Sequence, residues 1–222
     1  TGVQPEVRFL VDKCSDCPLA LDPNDGGIQI NKLMETNLSG IFVAGDVASV
    51  TWVTPQDHVD AEGARITSHW FQMRLWDQAE QAGRHAALSM CALRDELSAS
   101  MSFELFTHVT SCFGFKVVLL GLFNGQTLGS SYEMVLKERA LARPQRAGEA
   151  GDELRNPMEV LIRATPGQEY IKVVVVHGKV VGAMLIGDTD LEETFENLIL
   201  SQIDVTGMNL LDPDLDLEDY FD

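Results

Sequence analysis

Gly45 and Asp46 are the residues of this chain best suited by type and spacing to hold a ligand. A glycine has no Cβ, so the backbone at 45 can approach a bound molecule closely. The carboxylate beside it accepts strong hydrogen bonds and donates none, which suits a row of sugar or polyol hydroxyls. The surrounding run, Thr36-Asn-Leu-Ser-Gly-Ile-Phe-Val-Ala-Gly-Asp-Val-Ala48, reads as a turn, a short buried strand over Ile41 to Ala44, and then the glycine and aspartate at its carboxyl end. Open α/β sheets bind ligands in the crevice beyond their strand ends. A strand leading into Gly-Asp is otherwise an ordinary turn, so the chemistry rests on the whole frame.

A second group lies downstream, in Met73-Arg-Leu-Trp-Asp-Gln-Ala-Glu-Gln-Ala-Gly83. Leu75, Ala79, Ala82, Ala86 and Leu93 fall near helical spacing, which predicts a helix from Met73 to Leu93. Its amino end would offer N–H groups and a positive dipole end to developing negative charge. Asp77, near the start, is placed to cap it. Cys14-Ser-Asp-Cys17 has the spacing of a redox pair or half a zinc site, but no second Cys or His pair completes a tetrahedral set. None of the five histidines shares a motif with a nucleophile or a metal partner, so no metal site and no catalytic side chain is expected. No GxGxxG occurs; Gly121, Gly125 and Gly129 are wrongly spaced and open no helix.

The elements that must position these residues fall into two sets. Asp22 to Gly27 is a strong turn cluster with an alternating strand, Ile28 to Ile30, behind it. Ser49 to about Ser68 is irregular, and Leu97 to Ser102 reads as a linker. Beyond it six strands are expected: Phe103–Thr110, Lys116–Leu122, Tyr132–Lys137, Met158–Ala164, Glu169–Val176 and Val180–Ile186, with His177-Gly178 as a tight hairpin turn. Leu141 to Asn156 has loop composition. Thr189 and Glu192 have capping-box spacing, and Leu191, Phe195, Leu198 and Ile199 line one face of the helix after them.

The 222 residues carry 34 acidic against 16 basic side chains, a net charge of −18 that repels phosphate backbones and argues against direct nucleic-acid binding. Hydrophobic content of 45% is that of an ordinary globular protein, and no apolar run reaches the length of a membrane span. Four cysteines without a paired framework fit a reducing intracellular compartment. The last stretch, from Asp204, is dense in acid but interleaved with Leu210, Leu211, Leu215, Leu217, Tyr220 and Phe221, a pattern suited to docking on a basic or metal-bearing partner surface.

The frame T-x-L-x-G-I-F-x-A-G-D resembles the second flavin motif of the FAD-dependent pyridine nucleotide-disulfide oxidoreductases, whose aspartate binds the ribityl chain of FAD. The run Met73–Gly83 resembles the helix that comes after this motif in reductases of the ferredoxin- and rubredoxin-reductase type, where the amino end faces the pyrimidine edge of the flavin. The resemblance implies FAD contacts at Gly45, Asp46, Leu75, Trp76 and Asp77. Thr1-Gly-Val-Gln-Pro5 resembles the family's turn from the NAD domain back to the FAD domain, which would place Gly2 beside the nicotinamide. Ser102–Thr110, Lys116–Gly121, Glu169–Val174, Ile186–Ile199 and Leu211–Asp222 are similar to an animal branch of the same family.

The resemblance implies a carboxyl-terminal half: fold class α/β plus α+β, the returning part of a FAD-binding Rossmann-like domain at 1–97, a small mixed α+β domain at 98–205 and an acidic tail at 206–222. The parent would be a FAD-containing oxidoreductase that takes electrons from NAD(P)H and passes them to an acceptor; lacking both dinucleotide fingerprints, this chain alone would be inactive. The resemblance further implies residence in cytoplasm or nucleus, protection against oxidation, and a tRNA-ligase complex as partner. The competing reading is a redox-inactive interaction module that docks a partner through the carboxyl-terminal domain and tail.

Overall fold

The computed structural model describes residues 3–11, 18–52, 68–95, 97, 102–126, 133–138 and 157–212. Gly2, Cys14, Cys17, most of the irregular stretch after Ser49, the loop 141–156 and the tail beyond Asp212 lie outside them. The chain divides into two compact units, Thr1–Gln56 with Phe71–Glu104, and Asp57–Trp70 with Leu105–Asp222.

The first unit is sparse in regular structure. A one-turn helix α1 spans Arg8–Val11, and two three-residue strands, β1 (Ile28–Ile30) and β2 (Ala48–Val50), pair in parallel with Ile28 opposite Ala48 and Ile30 opposite Val50. The turn expected at Asp22–Gly27 is present: the Gly26 N–H donates to the Asp22 carbonyl and the Asp22 N–H to the Gly27 carbonyl. The buried strand expected at Ile41–Ala44 is not. Thr36 N–H reaches the Ile41 carbonyl and Val43 N–H the Met34 carbonyl, but the pairing stops at a single bridge between Glu35 and Phe42. Met34 adopts a positive φ of 64°, which bends the partner segment so that the pairing does not extend into a ladder, and Ile41 is left exposed. Gly45 and Asp46 therefore precede strand β2 instead of ending a strand.

Helix α2 spans Trp76–Met90, shorter at both ends than the expected Met73–Leu93. It stops in a Schellman turn: Ala92 takes φ 55°, its N–H bonds to the Ser89 carbonyl, and Leu93 N–H bonds back to Leu88.

The second unit is a six-stranded sheet in the order β3-β4-β8-β7-β6-β5, with β3 Thr107–Cys112, β4 Phe115–Gly121, β5 Glu133–Glu138, β6 Pro157–Thr165, β7 Glu169–Val176 and β8 Lys179–Ile186. All neighbours are antiparallel except β5 and β6, which run parallel. Val118 and Leu120, then Ile171, Val173 and Val175, share one core with Phe195, Leu198 and Ile199 of helix α3 (Glu192–Ser201). Phe103, expected at the start of a strand, instead sits buried in a turn. His177 and Gly178 both take positive φ, 50° and 73°, as a two-residue hairpin turn requires. Leu210 and Leu211, grouped by composition with the acidic tail, are buried in the same core.

The capping box does not form. The residue before α3 is Leu191, no side chain caps the helix, and Glu192 pairs instead with the Lys116 ammonium at 2.5 Å. The cause is Asp190, whose φ of 51° rotates the chain between Thr189 and the helix.

Candidate functional site

The first unit brings together most of the residues that the sequence singles out. Gly45 has φ +81°, a conformation closed to most side chains, and opens a turn in which the Ala48 N–H donates to its carbonyl at 3.0 Å. Asp46 and Val47 are the central residues of that turn, and Asp46 is exposed. A Cβ built at Gly45 would lie 3.7 Å from the Cβ of Ala79, in the first turn of α2. The glycine turn and the amino end of the helix are thus in contact.

Helix α2 opens without a side-chain cap. Asp77, expected as a cap, occupies the first turn inside the helix, where its charge complements the dipole. By α-helix geometry the leading N–H groups have no intrahelical partner; the first bond inside it runs from Ala79 N–H to the Leu75 carbonyl. Leu75 is half-buried, while Trp76 is 88% exposed. Among the described residues of this unit, Trp76 is the most exposed large apolar side chain, and it lies at the open helix end.

The approach to the helix is fixed by three side chains that sequence reading did not single out. The Gln72 amide donates to the Ala48 carbonyl at 2.9 Å and accepts from Val50 N–H at 3.3 Å, so it pairs with β2 as a strand would. Gln78 accepts from Met73 N–H at 2.8 Å and donates to the Phe71 carbonyl at 2.9 Å. Arg74 stands between them with φ 55°, and its guanidinium reaches the glycine turn: Nε donates to the Asp46 carbonyl at 3.0 Å, and Nη2 to Ser49 Oγ at 3.1 Å and to the Ala48 carbonyl at 3.3 Å. Nη2 also pairs with Asp25 Oδ2 at 2.5 Å.

Asp25 completes the cluster. Its Oδ1 accepts from Ser49 Oγ at 2.6 Å and from Gly27 N–H at 2.8 Å. Burial works to raise its carboxyl pKa, but the bonds from Ser49 and Gly27 and the Arg74 guanidinium outweigh burial and hold it below the usual value. Gly27 has no room for a side chain, because a Cβ there would fall 2.1 Å from Ser49 Oγ. Arginines and aspartates are common enough that nothing in the linear sequence links positions 25, 49 and 74.

Further along α2, His85 is buried edge-on against Phe103, with ring centroids 5.1 Å apart. Burial first, and then the Arg94 charge, push its pKa down. It belongs to the packing of the helix, as its type and place suggest. Among the described residues no cluster of His, Cys, Asp or Glu has a metal-binding arrangement, and no helix is long and apolar enough to cross a membrane.

Residues 148–203 match the family model for the rubredoxin NAD+ reductase C-terminal domain. Among solved structures, the NADH:rubredoxin oxidoreductase of Clostridium acetobutylicum aligns with 94% of this chain and 40% of its own, at 19% identity and TM-score 0.52. A NAD-dependent persulfide reductase from A. fulgidus aligns with 98% of this chain and 35% of its own, at 16% identity and TM-score 0.56. These likenesses establish the fold, and it is the α/β plus α+β class expected. Two curated relatives carry the same name, pyridine nucleotide-disulfide oxidoreductase domain-containing protein 1. The protein from Drosophila melanogaster is 43% identical over 226 residues and that from Homo sapiens 42% over 227, in each case across 100% of this chain. The chain spans 39% and 37% of their respective lengths. With identity at this level from its first residue to its last, the chain belongs to the pyridine nucleotide-disulfide oxidoreductase domain-containing protein 1 family and corresponds to the carboxyl-terminal part of its members.

Proposed function

We propose that the longer protein to which this chain corresponds is a FAD-dependent oxidoreductase using NAD(P)H, and that this chain supplies the part of the site facing the flavin. The observation that carries the reading is the contact between a positive-φ glycine turn bearing an exposed carboxylate and the uncapped amino end of a 15-residue helix. The residues present fit such a group. Gly45 leaves its face of the turn without a side chain, and Asp46 offers an acceptor that no neighbour buries.

Bound FAD would supply the chemistry, accepting electrons from a reduced nicotinamide and releasing them to an acceptor. The chain's own groups would bind and orient. The Asp46 carboxylate would accept hydrogen bonds from the polyol hydroxyls, a donor–acceptor match strengthened by its charge. The leading N–H groups of α2, with the positive end of the helix behind them, favour negative charge located beside Trp76. The Trp76 indole would cover the ligand from water on that side. Asp77 lies one residue further on, where a carboxylate directed at the same position would oppose an anion, so its role is to complement the dipole.

The test is a visible absorption spectrum of the longest natural chain that contains this sequence, purified without added cofactor. A flavin band that bleaches on anaerobic addition of NADH or NADPH is the expected result. A preparation that stays colourless and does not take up FAD overturns the proposal. Asp46→Ala is expected to reduce FAD retention with little change in melting temperature, because the side chain is exposed.

A further inference from the structure

We propose that Arg74 is a positioning residue for the flavin: it holds the Gly45–Asp46 turn and the start of α2 in one fixed arrangement, and so presents the Asp46 carboxylate. The inference rests on the flavin reading above. Three observations on the described residues point to it.

The first is what the guanidinium touches. It bonds the backbone carbonyls of Asp46 and Ala48, at the second and last positions of the glycine turn, together with Ser49 and Asp25. These contacts stretch from residue 25 to residue 49, and all converge on a side chain two positions before the helix. Arginine's planar fork can serve several acceptors at set angles, which a lysine ammonium cannot reproduce.

The second is cost. Arg74 holds φ 55° without being glycine, a state that persists only where the surroundings over-determine it. Here the determinants are Gln78 on the preceding backbone and the clamp itself. The third is burial. The Arg74 side chain is 12% exposed, so its charge is withdrawn from water and neutralised by Asp25, which in turn is fixed by Ser49 and Gly27. A surface ion pair that merely adds solubility has none of these features.

The clamp works on backbone and leaves the carboxylate of Asp46 free for a ligand. Its loss would let the turn sample other orientations, which weakens ligand binding through the disorder of Asp46.

The experiment is a mutant cycle on FAD affinity, run on the longest natural chain containing this sequence after its flavin has been stripped. FAD is titrated back and followed by quenching of flavin fluorescence, with melting temperature and far-ultraviolet circular dichroism recorded for every variant. Arg74→Lys is expected to weaken FAD binding about tenfold, the size usual for loss of a group that orients a ligand-bearing residue. Asp25→Asn approaches the same cluster from its far side and is expected to act alike; it serves if Arg74→Lys does not fold. In an Asp46→Ala background either change should alter affinity by no more than about twofold, since a positioning residue has nothing left to position. Additive losses would overturn the proposal, because Arg74 would then steady the protein independently of Asp46. Unchanged affinity in both single variants would also overturn it, while a loss in Asp46→Ala alone would leave the flavin reading standing. Unchanged affinity in Asp46→Ala would remove the flavin reading and this inference together.

Discussion

At the scale of single residues, Gly45 takes the positive φ that its missing Cβ allows, and Asp46 beside it stays exposed. Arg74 was not legible in the linear sequence. Its partners lie 25 to 49 positions earlier, and only the fold reveals that a guanidinium there meets two carbonyls of the glycine turn. His69 gives a second case. Its Nε2 lies 3.2 Å from Gln202 Nε2, which also donates to the carbonyls of Ile199 and Val180. The two hydrogens of that amide serve those two carbonyls, so it offers no acceptor for a proton on His69 Nε2, and the ring gains nothing there by charging. Burial accordingly lowers its pKa from 6.5 to about 4. The unfolded chain takes up this proton as pH falls through 6.5, and the folded chain only near pH 4. His69 therefore favours the folded state fully above pH 6.5, and that contribution declines between pH 6.5 and 4. Chemical denaturation across this window should show a shallower loss of stability in His69→Asn than in the native sequence; parallel curves would disprove the neutral, buried histidine.

At the scale of elements, the six segments read as strands beyond the linker are all strands in the second unit, with shifted ends, and the spacing of Phe195, Leu198 and Ile199 identified the buried face of α3. Local chemistry was the poorer guide. Thr189 and Glu192 match a capping box in type and interval, yet one positive-φ residue between them removes Thr189 from the helix end and leaves its Oγ1 buried without a hydrogen bond. Thr189→Val should then be neutral or stabilise by up to about 1 kcal/mol in a thermal melt, since it deletes an unsatisfied polar atom. A functioning cap would lose about 1 kcal/mol on the same change. The strand Ile41–Ala44 failed for a related reason: its pattern was sound, but its partner segment turns away at Met34. Gly182 in β8 shows a constraint that alternation cannot express. A Cβ there would sit 2.2 Å from the backbone carbonyl carbon of Leu122, so Gly182→Ala should cost about 3 kcal/mol, at the upper end of overpacking. A melting temperature equal to that of the native chain would show that the two backbones can separate.

At the scale of the whole molecule, charge outweighs individual ion pairs. The net charge of −18 exerts a self-repulsion that the described salt bridges, such as Arg8 with Glu6 at the surface, do little to offset. Raising sodium chloride from about 20 mM to about 500 mM should therefore raise the melting temperature, by about 2–4 °C for each kcal/mol of repulsion screened. A fall would mean that specific pairs dominate.

Arg74 also sets a limit on how this protein can drift. A site with φ 55° ordinarily accepts glycine or asparagine at a gain, and Ala92, at the same angle, can take that route. Position 74 is not, because the replacements its backbone favours lack the guanidinium that its neighbours use. The two demands pull toward different amino acids, and only arginine, conformationally unfavoured but chemically sufficient, meets the second. A saturation library scored for fold alone should enrich glycine at 92, and the same library scored for flavin retention should return arginine at 74.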